Sequence, residues 1–80
     1  MKEEELIQRL AGRYPDAEIR VTGADCNFEV QVVSEAFAGL NTLQRQRPIL
    51  QLFKEELASG ALHALTVRAR TPQELAGHGE

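Results

Sequence analysis

A single cysteine, Cys26, excludes an intramolecular disulfide, and a lone thiol belongs by default to a reducing, cytoplasmic compartment. With no tryptophan, one tyrosine and three phenylalanines, aliphatic side chains must fill most of the core. No apolar run approaches the ~20 residues that a membrane-spanning helix needs. The acidic start, Met1-Lys2-Glu3-Glu4-Glu5, lacks the apolar stretch of a signal peptide. Catalytic signatures are missing too: there is no glycine-rich phosphate loop, Cys-x-x-Cys, His-Glu-x-x-His or Gly-x-Ser-x-Gly. Cys26 and His63 are the one thiol–imidazole combination with a place in an ordered segment. Three short strands, however, offer little room for a substrate pocket. The expectation is one small soluble α+β domain over residues 1–80, ordered from about 3 to 75, that binds partners and is not an enzyme.

What is present reads as a series of alternating elements. Leu6, Ile7 and Leu10 mark a helix from Glu3 to Arg13, with three glutamates at its positive end and Gly12 and Pro15 closing it. The period then changes to two. Ala17, Ile19 and Val21 form one strand, a polar loop spans Gly23 to Asn27, and Phe28, Val30 and Val32 form a second strand antiparallel to the first. Asn41-Thr42 opens a short helix through Gln46, and Pro48 suits the first turn of a new one. Ile49, Phe53 and Leu57 give that second helix its apolar stripe, and Gly60 stops it. A third strand starts at His63, and Thr71-Pro72-Gln73-Glu74-Leu75 caps a last helical turn before a frayed tail at 76–80. The order α-β-β-α-α-β-α predicts a three-stranded sheet with helices on one face. Leu6, Leu10, Ile19, Val21, Phe28, Val30, Val32, Leu50, Phe53, Leu57, Leu65 and Val67 are its expected core.

Charge is unevenly spread. Residues 1–35 hold four Lys/Arg against eight Asp/Glu, whereas 36–70 hold five against two. The middle is a basic stretch in a chain of net charge −3, which is less cationic than a dedicated nucleic-acid domain.

Phe37-x-Gly39, Arg45-x-Arg47, the amphipathic helix with Glu55-Glu56, and the strand start His63-Ala64-Leu65 occur in one order and spacing. Together they resemble the BolA family across essentially the whole chain, from about Glu5 to Leu75. The resemblance implies a fold similar to class II KH domains, with a mixed sheet and a helix-turn-helix-like element from about Asn41 to Ala58. It also implies pairing with a monothiol glutaredoxin and glutathione around a bridging [2Fe–2S] cluster. The ligands from this side are then His63 and Cys26, with no cofactor expected in the isolated protein. That places the chain in iron–sulfur cluster trafficking or in iron, redox and stress regulation, as a monomer or weak homodimer when alone. Many relatives read Arg-His-Arg where this chain has Arg45-Gln46-Arg47, so no role of that histidine carries over.

Elementary chemistry agrees with a shared cluster. Thiolate is a soft iron ligand, imidazole replaces thiolate in some [2Fe–2S] centres, and two donors leave two positions for a partner. The plain alternatives are an inert thiol and a hydrogen-bonded structural histidine. A second functional reading follows from family members that regulate transcription on DNA. Here Asn41, Thr42, Arg45, Arg47 and Lys54 would contact phosphates. Gln51, Glu55 and Glu56 beside Lys54 make a poor surface for reading bases. His78, in the tail, receives no role.

Overall fold

Phe28, Val30 and Val32 alternate with Glu29 and Gln31, and that alternation decides which side of the sheet is covered. In the computed structural model, which describes residues 1–78, all three apolar residues are buried. They lie on β2 (Asn27–Val33), the central strand, flanked by β1 (Glu18–Ala24) and β3 (Ala64–Arg70). β1 pairs antiparallel with β2 and β3 pairs parallel with it. The registers align Ile19, Val32 and Ala69 in one row and Val21, Val30 and Val67 in the next. Each row therefore points its apolar side chains to the same face. Helix α1 (Glu3–Arg13) seals that face with Leu6 and Leu10, both fully buried. The opposite face is polar and carries the Arg68–Glu29 ion pair at 2.9 Å.

The turn between β1 and β2 is tighter than the five-residue loop expected. Only Asp25 and Cys26 lie outside the strands, both with positive φ (56° and 65°). Two-residue hairpins favour this left-handed backbone because it matches the twist of the flanking strands. Gly23 permits the return of the chain: a Cβ there would sit 2.2 Å from the Asn27 carbonyl oxygen.

After β2, Ser34 caps a 3₁₀ turn (Glu35–Phe37), its hydroxyl accepting from the Ala36 N–H at 3.1 Å. The turn drives Phe37 into the core against Tyr14, with ring centroids 5.1 Å apart. Helix α2 (Thr42–Leu52) starts with a reciprocal cap in which Asn41 and Gln44 each accept the other's backbone N–H.

The helical break expected at Pro48 lies five residues further on. α2 runs through Pro48, and Phe53 alone separates it from α3 (Lys54–Ser59). Proline loses one intrahelical bond. A continuous turn through it nevertheless puts Ile49 and Phe53, four apart and both fully buried, on one face. The break falls where something else satisfies the backbone. Arg9 of α1 donates to the Leu52 carbonyl at 2.8 Å, pairs with Glu56 at 2.8 Å, and lies 5.2 Å from the Phe53 ring centroid. Gly60, at φ 89°, closes α3.

The core differs from the expected set in detail. Ile49, rather than Leu50, is the fully buried residue of α2, and Tyr14, Phe37 and Leu62 join it. Leu50, Leu57, Leu65, Ile19 and Val21 are only partly buried. Helix α4 (Pro72–His78) continues past Leu75, the expected last ordered residue, into the tail expected to fray from 76; Gly79 and Glu80 lie outside the described residues. Truncating Phe53 removes the side chain that joins α1, α2 and α3. Phe53→Ala should lower unfolding stability by about 3–5 kcal/mol, a large share for so small a chain. Urea denaturation followed by circular dichroism measures it, and a loss below about 1 kcal/mol would contradict this packing.

Candidate functional site

Parallel pairing places equivalent ends of two strands together, and this decides where Cys26 and His63 lie. The register matches Asn27 with Ala64, so the residues just before them are neighbours at the same end of the sheet. The Cys26 carbonyl accepts from the His63 N–H at 2.8 Å and from the Ala64 N–H at 3.3 Å. His63 thus precedes β3 instead of starting it, and its side chain is exposed. Cys26 is half-buried and is a free thiol. The Met1 α-ammonium donates to the Ala61 carbonyl at 3.3 Å and approaches Cys26 Sγ at 3.8 Å. A soft sulfur donor and an imidazole therefore stand on adjacent, open loops. Both positions fit metal ligation from outside the sheet. Among the described residues no group of three or more His, Cys, Asp or Glu could hold a metal ion.

Cys26 occupies a backbone conformation that disfavours it. Left-handed φ costs a residue with a Cβ about 1 kcal/mol, and glycine is the usual occupant of such a turn position. Strain of this kind clusters at functional sites.

The residues of the nucleic-acid reading have divergent fates. Arg45 does not face solvent as a phosphate contact: its side chain is only 12% exposed. Nε donates to the Leu40 carbonyl at 2.8 Å, Nη1 to the Ala69 carbonyl at 3.1 Å, and the two terminal nitrogens grip Glu74 at 2.6 and 2.8 Å. A planar guanidinium makes such a fork readily, and no donor is left pointing outward in quantity. Asn41 is engaged as the α2 cap. Thr42, Arg47 and Lys54 are exposed. Arg47 and Lys54 flank a shallow groove of about 360 Å³ whose apolar wall is Leu43, Leu50 and Leu57. The helix-turn-helix-like element has a minimal turn, Phe53 alone joining α2 to a six-residue α3.

Gln46 answers for the missing histidine. Its Nε2 donates to the Val67 carbonyl at 3.1 Å, so Gln46 and Arg45 together occupy two outward carbonyls on the free edge of β3. Sequence reading missed this edge-sealing role; the two side chains are adjacent, and only the approach of α2 to β3 reveals it. Glu74 also accepts from the Thr71 N–H at 3.0 Å, completing the cap of α4. The Arg45 guanidinium, with that backbone bond, pulls the Glu74 carboxyl from 4.5 down to about 2.

The fold is a small α+β domain with a thiol and an imidazole on neighbouring loops at one end of a mixed sheet and an arginine lock at the other. The chain belongs to the BolA family: the family described as BolA-like protein matches residues 11–74. It is 35% identical over 74 residues to an uncharacterized protein from the rpoN-murA intergenic region of Acinetobacter guillouiae, covering 92% of this chain and 89% of that one. Against BolA-like protein 1 of Bos taurus the identity is 48% over 52 residues, covering 65% of this chain and 38% of the other. The chain thus spans well under half the length of that relative. Among solved structures, BolA1 from Arabidopsis thaliana superposes with a TM-score of 0.77 at 32% identity, covering 89% of this chain and 92% of that one. Yeast Fra2 gives 0.72 at 31%, covering 94% and 84%.

Two consequences are measurable. Glu74 has a depressed carboxyl pKa in the folded state, so its contribution is full above pH 4.5 and is lost as the pH falls toward about 2. Glu74→Gln, which keeps the cap but not the charge, should be less stable than wild type at neutral pH, with the difference closing over that window. A gap that persists at the acid end would place the stabilisation outside the ion pair. Cys26→Gly should relieve the left-handed strain and leave the fold as stable as wild type or up to about 1 kcal/mol more so. Equilibrium denaturation decides this; a clear loss of stability would mean the thiol packs as a core residue.

Proposed function

We propose that this chain is a BolA-like adaptor that pairs with a monothiol glutaredoxin and shares a [2Fe–2S] cluster with it, Cys26 and His63 being its two ligands. The observation that carries the reading is the Cys26 carbonyl accepting the N–H groups of His63 and Ala64. That bond makes the two donors neighbours, although they lie 37 residues apart in the chain.

Neighbouring strands lie about 4.8 Å apart, and side chains from two such loops can reach toward a common group. The thiolate and imidazole together suit iron in a [2Fe–2S] centre, where nitrogen donors replace sulfur on one metal. Two donors on this chain make a partner's donors necessary, which is the chemical basis of an adaptor. The cluster supplies electron-accepting iron at the interface. The chain itself supplies a rigid hairpin turn, an exposed imidazole and a free thiol. It would serve cluster trafficking or iron and redox regulation in that role. Three of the five arginine and lysine side chains of the basic stretch remain free of ion pairs among the described residues: Arg47, Lys54 and Arg70. Arg47 and Lys54 flank the shallow groove lined by Leu43, Leu50 and Leu57 and give it a cationic rim that would suit an acidic partner surface.

Anaerobic reconstitution with a monothiol glutaredoxin and glutathione, followed by visible absorption and circular dichroism, tests the proposal. His63→Ala should shift the visible spectrum and shorten the cluster's lifetime, because iron loses a nitrogen donor. Cys26→Ser should act in the same direction. Cys26→Gly, expected to fold at least as well as wild type, removes the thiol without the objection that the domain has been damaged. A His63→Ala/Cys26→Gly chain forming a heterocomplex with an unchanged spectrum and lifetime would refute the ligand assignment.

A further inference from the structure

β1 is an edge strand, and its unpaired side can be identified from the turn that follows it. The two-residue turn at Asp25–Cys26 is closed by Ala24 and Asn27, which in hairpins this short form a hydrogen-bonded pair. Ala24, Thr22, Arg20 and Glu18 therefore aim their N–H and C=O groups at β2. Val21 and Ile19 aim theirs away from the sheet. The other side of β2 has the matching phase: Cys26 accepts from β3's side and Ser34 donates to Arg70. Among the described residues no hydrogen bond outside the sheet pairing reaches the backbone of Ile19 or Val21. Their side chains are also only half-buried, although their partners Val32 and Val30 are fully buried.

We propose that this edge is an interface between two copies of this chain, joined by antiparallel β1–β1 pairing about a two-fold axis at Ile19. The charges select that register. With Ile19 opposite its own counterpart, Glu18 faces the second copy's Arg20, and Arg20 faces the second copy's Glu18. Both contacts fall on the non-hydrogen-bonded positions, where opposed side chains are closest. Sliding by one step in either direction sets Glu18 against Glu18 or Arg20 against Arg20. Within one copy these two side chains lie on the same open face, 3.7 Å apart and largely solvent-exposed, so both are available. Ala17 would face Val21 across the axis. Its N–H already donates to the Tyr14 carbonyl, and its own carbonyl is left to accept. Charged residues normally guard an edge against pairing. Spaced two apart with opposite sign, they favour the register centred on Ile19 and disfavour the two next to it. The interface is small, so the dimer is weak and concentration-dependent. It uses neither Cys26 nor His63 and stands independently of the cluster reading.

Sedimentation equilibrium of the protein under reducing conditions, over a wide concentration range, tests the pairing. Amide hydrogen exchange at Ile19 and Val21 should become more protected as concentration rises. Glu18→Arg alone and Arg20→Glu alone should each weaken association about tenfold or more, because both reciprocal pairs become like-charged. Combining the two substitutions in one chain should restore it, and mixing the two single variants should give heterodimers. A wild-type chain that stays monomeric with both amides unprotected overturns the proposal. Dimerisation indifferent to the charge reversals overturns it as well and would move the contact to another surface, such as the groove beside Leu43.

Discussion

The parallel pairing of β2 with β3 is the constraint from which the rest of the structure follows. Antiparallel β1 and β2 need only a two-residue turn. A parallel neighbour requires the chain to leave the sheet, travel back along it and return in the same direction. Residues 34–63 are that crossover, and they contain Phe37, Ile49, Phe53 and Leu62, four of the fully buried core side chains. The same pairing brings the starts of β2 and β3 together, and with them Cys26 and His63. Core and donor pair are consequences of one register, so neither moves without the other.

The sheet's two ends have been given opposite characters. At the starts of β2 and β3, the Cys26 turn and the loop before His63 are open, and Cys26 is held in a left-handed conformation. At the far end, Arg45 ties the Leu40 and Ala69 carbonyls to Glu74, joining the entry to α2, the edge of β3 and the start of α4. Gln46 adds a bond to Val67 on the same edge. One end of the sheet is thus tied together by side chains from several elements, while the other is open and carries the strained turn. Two of the middle segment's five cations, Arg45 and Arg68, are held in ion pairs with Glu74 and Glu29, which makes the surface less basic than the residue count of that segment suggests.

Much was legible from residue pattern. Period-two alternation in Phe28, Val30 and Val32, the Asn41 and Thr71 caps, and the glycine stop at Gly60 are local signals, because strand faces and helix ends are governed by residues within a few positions. They determined the element order and most of the core. The kinds of donor on offer, one thiol and one ordered imidazole, were equally a property of composition. Tertiary structure decided the matters that depend on distant partners. Pro48 was bridged because Ile49 and Phe53 must reach the same core, and the helix broke at Phe53 because Arg9, from another helix, satisfies the Leu52 carbonyl. Arg45, a free cation by sequence, became a partly buried lock because β3 and α4 bring an acceptor carbonyl and a carboxylate to it. Cys26 and His63 became neighbours only through strand register, which no local signal in either segment encodes, since register is set by how whole apolar faces align against the core.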